Sequence, residues 1–262
     1  MLTIGIDVGS ISAKAAMMND GELIGSKVIL TGYNARNAGR AVFEGLLETL
    51  RVDRAAVARI VATGYGRNSV DFAHKAVTEI TCHARGAVFQ NPAVRSIIDI
   101  GGQDSKAIAL NEAGGVRDFA MNDKCAAGTG RFLEVMARAL EVDLDGFGPM
   151  SLAAENPARI SSLCTVFAES EVISLIAKGA RRADIIAGIH ASVAARVVAM
   201  ANRIGLQPPV MMTGGVAHNV GVVKALEAKL GHPVEVSAYA QENGAIGAAC
   251  IAAGEASKAA GQ

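Results

Sequence analysis

A duplicated α/β fold, two lobes each built on a mixed sheet, is predicted by three features of this 262-residue sequence. Asp-Val-Gly at Asp7–Gly9 and Asp-Ile-Gly at Asp99–Gly101 each close an apolar run, Leu2–Ile6 and Ser96–Ile98. Each aspartate is followed seven residues later by a lysine, Lys14 and Lys106. Each repeat then passes through a second apolar run to a turn signal, Asn19-Asp20-Gly21 and Asn111–Gly115. Strand, glycine-bearing turn and strand is the reading both times, and helices alternate with strands after each.

The first lobe, residues 1–95, reads as strands over Leu2–Asp7, Lys14–Met18 and Glu22–Leu30, then a helix over Ala38–Leu50. A strand at Arg59–Thr63 and a helix near Ala76–Gln90 follow. From Ser96 the pattern restarts, and the second lobe takes residues 96–262, with a closing helix able to return to the first. Its strands are Ser96–Ile100, Lys106–Leu110 and Gly115–Ala120; its helices are Thr129–Leu140, Phe167–Lys178 and Asp184–Ile204. The first of these helices sets Phe132, Leu133, Val135, Met136, Ala139 and Leu140 at helical spacing, so one face is expected to be buried. Asp184 reads as the N-cap of the long helix and Gly205 as its stop. Gly146–Pro157 has the composition of a connecting loop. Strands at Val210–Thr213 and Val234–Val236 precede the closing helix, whose tail after Ala252 reads as frayed.

Hydrophobic residues make up 51% of the chain and charged residues 19%, enough for a sizeable core. Aromatics are 4% and Trp is absent, so that core is built from Ala, Val, Ile, Leu and Met. Basic and acidic residues balance at 25 each, which argues against nucleic acid or an anionic membrane as partner. No apolar window of membrane-spanning length and no basic leader segment are read, and a cytoplasmic location is expected. The cysteines, Cys82, Cys125, Cys164 and Cys250, are then expected to be reduced.

Glycines let backbone N–H groups approach phosphate oxygens, and aspartates can hold a metal ion that neutralises them. Four glycine-bearing segments fit one nucleotide cleft: Asp7–Ser10, Asp99–Asp104, Thr213-Gly214-Gly215-Val216 and Asn243-Gly244. Here the chain resembles the actin, hexokinase and heat-shock ATPase superfamily. The resemblance implies that Asp7, Gly9, Ser10 and Lys14 form a first phosphate loop, and Asp99, Gly101, Gly102, Gln103 and Asp104 a second. It implies that Gly214 and Gly215 pack against adenosine, with Gly244 also in the nucleotide site. Asp7 and Asp99 would hold Mg²⁺ through waters, and Asp104 and Gln103 are the candidates to orient the attacking water.

Cys125 lies in the segment Asn122–Glu134, which contains Lys124-Cys125-Ala126-Ala127-Gly128-Thr129-Gly130, and Cys164 in the segment Ser161–Glu171, which contains Cys164-Thr165-Val166-Phe167-Ala168-Glu169-Ser170-Glu171. Each reads as lying just ahead of a helix, where the helix dipole favours an anion. Cys82 and Cys250 lack that setting and read as buried small hydrophobes; His83 reads as a core or hydrogen-bonded histidine.

These two cysteine segments resemble the ATP-dependent activators of 2-hydroxyacyl-CoA dehydratases and, equally, the ATPase subunits of benzoyl-CoA reductases. Ala62–Asn68, Asp99–Asp104 and Asp184–His190 match the same family. The resemblance spans the whole chain. It implies a 4Fe–4S cluster held between two subunits by Cys125 and Cys164 of each, and ATP/ADP and Mg²⁺ as further cofactors. It also implies a homodimer or a heterodimer with a related ATPase subunit, ferredoxin or flavodoxin as electron donor, and an iron–sulfur dehydratase or reductase as acceptor. ATP-driven transfer of a low-potential electron is the expected activity; the alternative is a small-molecule kinase of the same fold.

Overall fold

The computed structural model describes residues 1–161 and 164–260. Contacts within the chain divide it into two units. Unit 1 comprises Met1–Val94, Leu110–Arg117 and Gln241–Gln262; unit 2 comprises Arg95–Ala109 and Asp118–Ala240. The closing segment from Gln241 therefore belongs with the N-terminal strands.

In unit 1 the strands β1 (Leu2–Val8), β2 (Ser12–Asn19), β3 (Glu22–Leu30), β4 (Val57–Thr63) and β5 (Lys75–Ala76) are ordered β3-β2-β1-β4-β5. The first three are antiparallel neighbours, and β4 and β5 add in parallel. Successive side chains alternate between sheet faces, and this sorts β1. Ile4, Ile6 and Val8 pack with Val42, Phe43 and Leu46 of α1 (Ala35–Leu50), whose start is capped by Asn34. Thr3, Gly5 and Asp7 take the other parity and meet α8 (Asn243–Ala260). Thr3 Oγ1 donates to the Ala249 carbonyl at 3.4 Å, and a side chain at Gly5 would collide with the Ala245 carbonyl. Behind α8 lies α2 (Glu79–Gln90).

The expected fraying after Ala252 does not occur, and α8 runs to Ala260. Ala252 and Ala256 are buried, and Glu255 accepts from Arg59 at 2.9 Å and pairs with Lys75. Tertiary contacts hold a segment whose composition alone suggested an unravelled end.

Unit 2 repeats the plan. Its strands β6 (Ser96–Ile100), β7 (Ser105–Leu110), β8 (Val116–Asn122), β9 (Val210–Thr213) and β10 (Val234–Val236) are ordered β8-β7-β6-β9-β10. Again an antiparallel hairpin is extended by two parallel strands. Ile98, Ile100, Val210 and Met212 pack against α3 (Gly130–Ala139), α4 (Leu144–Ser151), α5 (Thr165–Ala177), α6 (Arg182–Asn202) and α7 (Val220–Leu230) through residues such as Phe132, Met136, Phe147, Ile189 and Leu226. Of the predicted α3 face, Phe132, Leu133, Met136 and Leu140 are buried, while Val135 and Ala139 are half-buried at its edge. By length and apolar composition α6 is able to cross a membrane, yet it forms the centre of this core.

Two expectations are corrected here. Gly146–Pro157 is not all loop, because α4 occupies its first part and seats Phe147 in the core. Asp184 does not cap α6, which starts at Arg182; it lies within the first turn, buried, where its carboxylate accepts from the N–H groups of Glu155 and Asn156, each at 2.9 Å. The backbone that packs beside α6 competes successfully for that carboxylate.

Candidate nucleotide loops and cysteine segments

The seven-residue Asp–Lys spacing is a hairpin register. Asp7 and Lys14 are direct partners across β1 and β2, with Lys14 Nζ 3.4 Å from Asp7 Oδ2. Asp7 is 6% exposed, so its charge needs the compensating lysine. The turn between the strands is closed by Gly9 N–H donating to the Ser12 carbonyl at 3.0 Å. Thr31 Oγ1 donates to the Gly9 carbonyl at 2.8 Å and fixes the turn from β3's end. Ser10 stands exposed at the tip.

Unit 2 reproduces this arrangement. Asp99 and Lys106 are partners across β6 and β7, with Lys106 Nζ 3.1 Å from Asp99 Oδ2. Gly101 N–H donates to the Asp104 carbonyl at 2.9 Å, the equivalent of the Gly9–Ser12 bond. Lys106 also pairs with Asp104 Oδ2 at 2.6 Å, so this candidate for orienting water is already engaged by a lysine. Gln103, the other candidate, stands exposed at the turn tip. The carbonyls of Gly101 and Gly102 accept from the first N–H groups of α3, Gly130 at 2.9 Å and Arg131 at 2.8 Å.

A further pair of equivalent residues carries no Asp-x-Gly signal and was not among the predicted site residues. Thr63 ends β4 opposite Asp7, and Thr213 ends β9 opposite Asp99. The glycines that follow, Gly64 and Gly214, have φ of +83° and +87°, a left-handed conformation that favours glycine. A side chain at Gly64 would collide with Asp7 Oδ1; one at Gly214 would collide with the Ile100 carbonyl and stand 3.0 Å from Asp99 Oδ1. Thr213 Oγ1 donates to Asp99 Oδ1 at 2.8 Å. The detectable signal was the repeated Thr-Gly at the end of an apolar strand, Ala62-Thr63-Gly64 and Met212-Thr213-Gly214. Gly215 opens the turn of 3-10 helix that follows.

The predicted Gly244 stands at the start of α8 and meets Asp7 within unit 1. A Cβ built there would lie 2.8 Å from Asp7 Oδ2 and 3.2 Å from His83 Nε2. His83 is buried; Asn243 Nδ2 donates to its carbonyl at 3.0 Å and stands 3.1 Å from its Nδ1. Asn243 Oδ1 in turn accepts from Gln90 Nε2 at 2.7 Å.

Cys125 and Cys164 differ from each other and from the remaining cysteines. Cys125 is half-buried in a turn held by Asn122, whose Nδ2 donates to the Cys125 carbonyl at 2.8 Å and to the Ala127 carbonyl at 3.1 Å. It is not at a helix entry: α3 starts five residues later, and its leading N–H groups hold the carbonyls of Gly101 and Gly102. Cys164 is exposed and occupies the N-cap position of α5. Residues 162–163 of its segment lie outside the described residues. Both cysteine segments border one open cavity of about 610 Å³, lined by Asn122, Lys124, Ser161, Arg196 and Arg203 among others. Cys82 is fully buried, and burial pushes its thiol up to about 12; Cys250 is half-buried and pushed up to about 11 for the same reason. Among the described residues, no cluster of three or more His, Cys, Asp and Glu could hold a metal ion.

A buried polar group ties α4, α6 and α7 together. His190 Nδ1 lies 3.1 Å from Ser151 Oγ, which itself donates to the Gly148 carbonyl at 2.7 Å. The ring proton therefore sits on Nδ1, and Nε2 accepts from Asn219 Nδ2 at 3.4 Å. Burial pushes the His190 imidazole down to about 4.

Residues 4–252 match the sequence profile of the BadF/BadG/BcrA/BcrD ATPase family. The chain belongs to this family. It is 49% identical to the activator of lactoyl-CoA dehydratase from Anaerotignum propionicum, over 96% of this chain and 97% of that one. It is also 49% identical to the (R)-2-hydroxyglutaryl-CoA dehydratase activating ATPase of Acidaminococcus fermentans, over 98% of each. A benzoyl-CoA reductase subunit from Thauera aromatica is 35% identical over 95% of this chain and 92% of its own length. Among solved structures, the activator of the 2-hydroxyisocaproyl-CoA dehydratase from Clostridium difficile with bound ADPNP superposes with a TM-score of 0.94 at 44% identity, over 100% of this chain and 97% of that one. A ROK family glucokinase from Streptomyces griseus shares the fold at 15% identity, with a TM-score of 0.59 over 96% of this chain and 99% of its own. This ATPase thus has the actin- and hexokinase-like fold expected from the repeated Asp-x-Gly loops.

Proposed function

We propose that this ATPase couples ATP hydrolysis to delivery of one low-potential electron to an iron–sulfur enzyme acting on a CoA thioester. The observation that carries the reading is the pairing of two equivalent Asp–Lys turns with two accessible cysteines whose segments border one basic cavity. A 2-hydroxyacyl-CoA dehydratase is the preferred acceptor over an aromatic-ring reductase, since the dehydratase activators are the more similar relatives, 49% against 35% identical.

In this reading Asp7 and Asp99 face the Mg²⁺ of MgATP through its water shell, because each carboxylate is already matched by a lysine and Mg²⁺ sheds water reluctantly. Gly9 and Gly101 spend their N–H groups on closing their turns. The tip residues Ser10 and Gly102 are then the ones that meet phosphate, and Gly214 and Gly215 line the adenosine side. Asp104 and Gln103 remain the candidates to orient the attacking water, with Lys106 holding Asp104 in place.

Cys125 and Cys164 suit a 4Fe–4S cluster: one is half-buried, the other exposed, and Lys124, Arg196 and Arg203 line the cavity their segments share. A cubane cluster takes four thiolates, so two copies of the chain, or this chain and a related ATPase subunit, supply two each. When bound, the cluster supplies the electron. Ferredoxin or flavodoxin is the expected donor, and the cytoplasm the expected compartment.

Anaerobic purification tests this directly. The protein should carry four irons and four sulfides per two chains and hydrolyse ATP. It should then activate a 2-hydroxyacyl-CoA dehydratase component only when ATP is present. ATP turnover that depends on a sugar or carboxylic acid, with no iron bound, would favour the kinase alternative instead.

A further inference from the structure

We infer that Thr63 is a positioning residue for Asp7: its hydroxyl, unpaired in this structure, donates to the Asp7 carboxylate when nucleotide and metal are bound. This rests on the reading of Asp7 as the carboxylate facing the nucleotide's metal.

The two repeats differ in a hydrogen bond. Thr213 and Asp99 are register partners across β9 and β6, and Thr213 Oγ1 donates to Asp99 Oδ1 at 2.8 Å. With Lys106 Nζ 3.1 Å from Oδ2, both oxygens of Asp99 are held. Thr63 and Asp7 are register partners across β4 and β1 in the same way. Thr63 is fully buried, yet its Oγ1 has no hydrogen-bond partner among the described residues. Asp7 has Lys14 Nζ 3.4 Å from its Oδ2, and the bond from Thr63 is not made.

A buried hydroxyl without a partner costs free energy that a later bond recovers. Cys82 of α2 lies beside this hydroxyl, but burial pushes the thiol up to about 12, more than Thr63 lowers it. The thiol therefore stays protonated, and its sulfur is a weak acceptor. The Asp7 charge raises the same thiol, so Thr63, Cys82 and Asp7 share one buried corner of unit 1. Rotation about χ1 moves Oγ1 between staggered positions. Because the registers are equivalent, the position that serves Asp99 from Thr213 serves Asp7 from Thr63. A carboxylate held against the metal's water shell is a fixed acceptor, and Thr63 Oγ1 then has a charged partner to donate to. The bond exists only in the bound state, so it adds to affinity and not to the stability of the free protein. Groups that orient a metal-facing ligand in this way typically change metal affinity roughly 10- to 100-fold when removed.

The test pairs urea denaturation of the nucleotide-free protein with titration of anaerobic holoprotein by a fluorescent ADP analogue, with and without Mg²⁺. Thr63→Val keeps the branched shape and removes the hydroxyl. It should leave the free protein at least as stable as wild type, whereas Thr213→Val, which breaks an existing bond to buried Asp99, should lower the urea midpoint. The gain in affinity that Mg²⁺ confers should fall about tenfold in Thr63→Val and stay within about threefold of wild type in Thr63→Ser. Metal-free affinity and iron content should be unchanged in both. Asp7→Asn is measured in parallel. A Thr63→Val protein destabilised as much as Thr213→Val would mean that the hydroxyl is already bonded, and would overturn the inference. An unchanged Mg²⁺ gain in Thr63→Val, with the gain lost in Asp7→Asn, overturns the role of Thr63 while that of Asp7 stands. If Asp7→Asn itself leaves the gain intact, the reading of Asp7 falls, and this inference with it.

Discussion

Lys106 Nζ lies 3.1 Å from Asp99 Oδ2 and is as buried as its partner, the two side chains being 5% and 4% exposed. The equivalent pair in unit 1, Lys14 and Asp7, is looser at 3.4 Å and more open at 13% and 8%. Lys106 further holds Asp104, so one ammonium serves two carboxylates.

Removing that ammonium should therefore be costly. Lys106→Met leaves Asp99 buried without its ion-pair partner, a change that typically costs about 3–5 kcal/mol. Urea denaturation should show this loss for Lys106→Met and a smaller one for Lys14→Met. Equal losses in the two variants would contradict the difference in burial.

Stability should fall on mild acidification. His190 has an unfolded value of 6.5 and is pushed down to about 4 in the folded protein. The unfolded chain thus binds more protons between these values. The stabilisation is fully present above pH 6.5 and is lost as pH falls toward 4, about 2 kcal/mol by pH 5 and about 3 kcal/mol in all. Comparing unfolding free energies at pH 7 and pH 5 for wild type and His190→Gln checks it: the variant should lack this part of the pH dependence.

Cys125→Ser and Cys164→Ser should each abolish cluster binding, while Cys82→Ser should retain it. Cys82 is fully buried with its thiol held protonated, whereas the other two are accessible. Iron and sulfide analysis of anaerobic protein decides the matter, and full iron content in either of the first two variants would overturn the assignment.

Asp7→Asn and Asp99→Asn should lower MgATP hydrolysis by roughly 10- to 100-fold or more. Both should still assemble a cluster that accepts an electron from a chemical reductant, yet fail to activate the acceptor enzyme. Reduction of the acceptor in single turnover with and without ATP is the measurement. Delivery at the wild-type rate by an Asp99→Asn protein that hydrolyses no ATP would separate the nucleotide from the electron step.

Gly64→Ala should weaken nucleotide binding as well as stability. The added methyl meets Asp7 Oδ1, and the φ of +83° strains any residue but glycine. Calorimetric titration with MgADP should show a weaker complex than wild type even where the variant remains folded.

The strand hairpins and the paired Asp–Lys turns were legible in the sequence because they are local. A short turn fixes which residues face each other, so the step of seven positions from Asp7 to Lys14, and from Asp99 to Lys106, already specified direct partners. The cysteine segments were likewise readable as motifs. Contacts between distant segments were not. Gly64 and Gly214 matter because parallel strands bring them beside Asp7 and Asp99, and no local pattern states that pairing. Asp184 resembled a helix cap, but an adjacent backbone stretch claimed its carboxylate. Cys125 resembled a helix entry, but the carbonyls of Gly101 and Gly102 took the leading N–H groups of α3. His83 meets Asn243 across 160 residues of chain, through the packing of α2 on α8. Periodicity records which face a residue takes within its own element; which side chains converge on a carboxylate is set by how elements far apart in sequence pack.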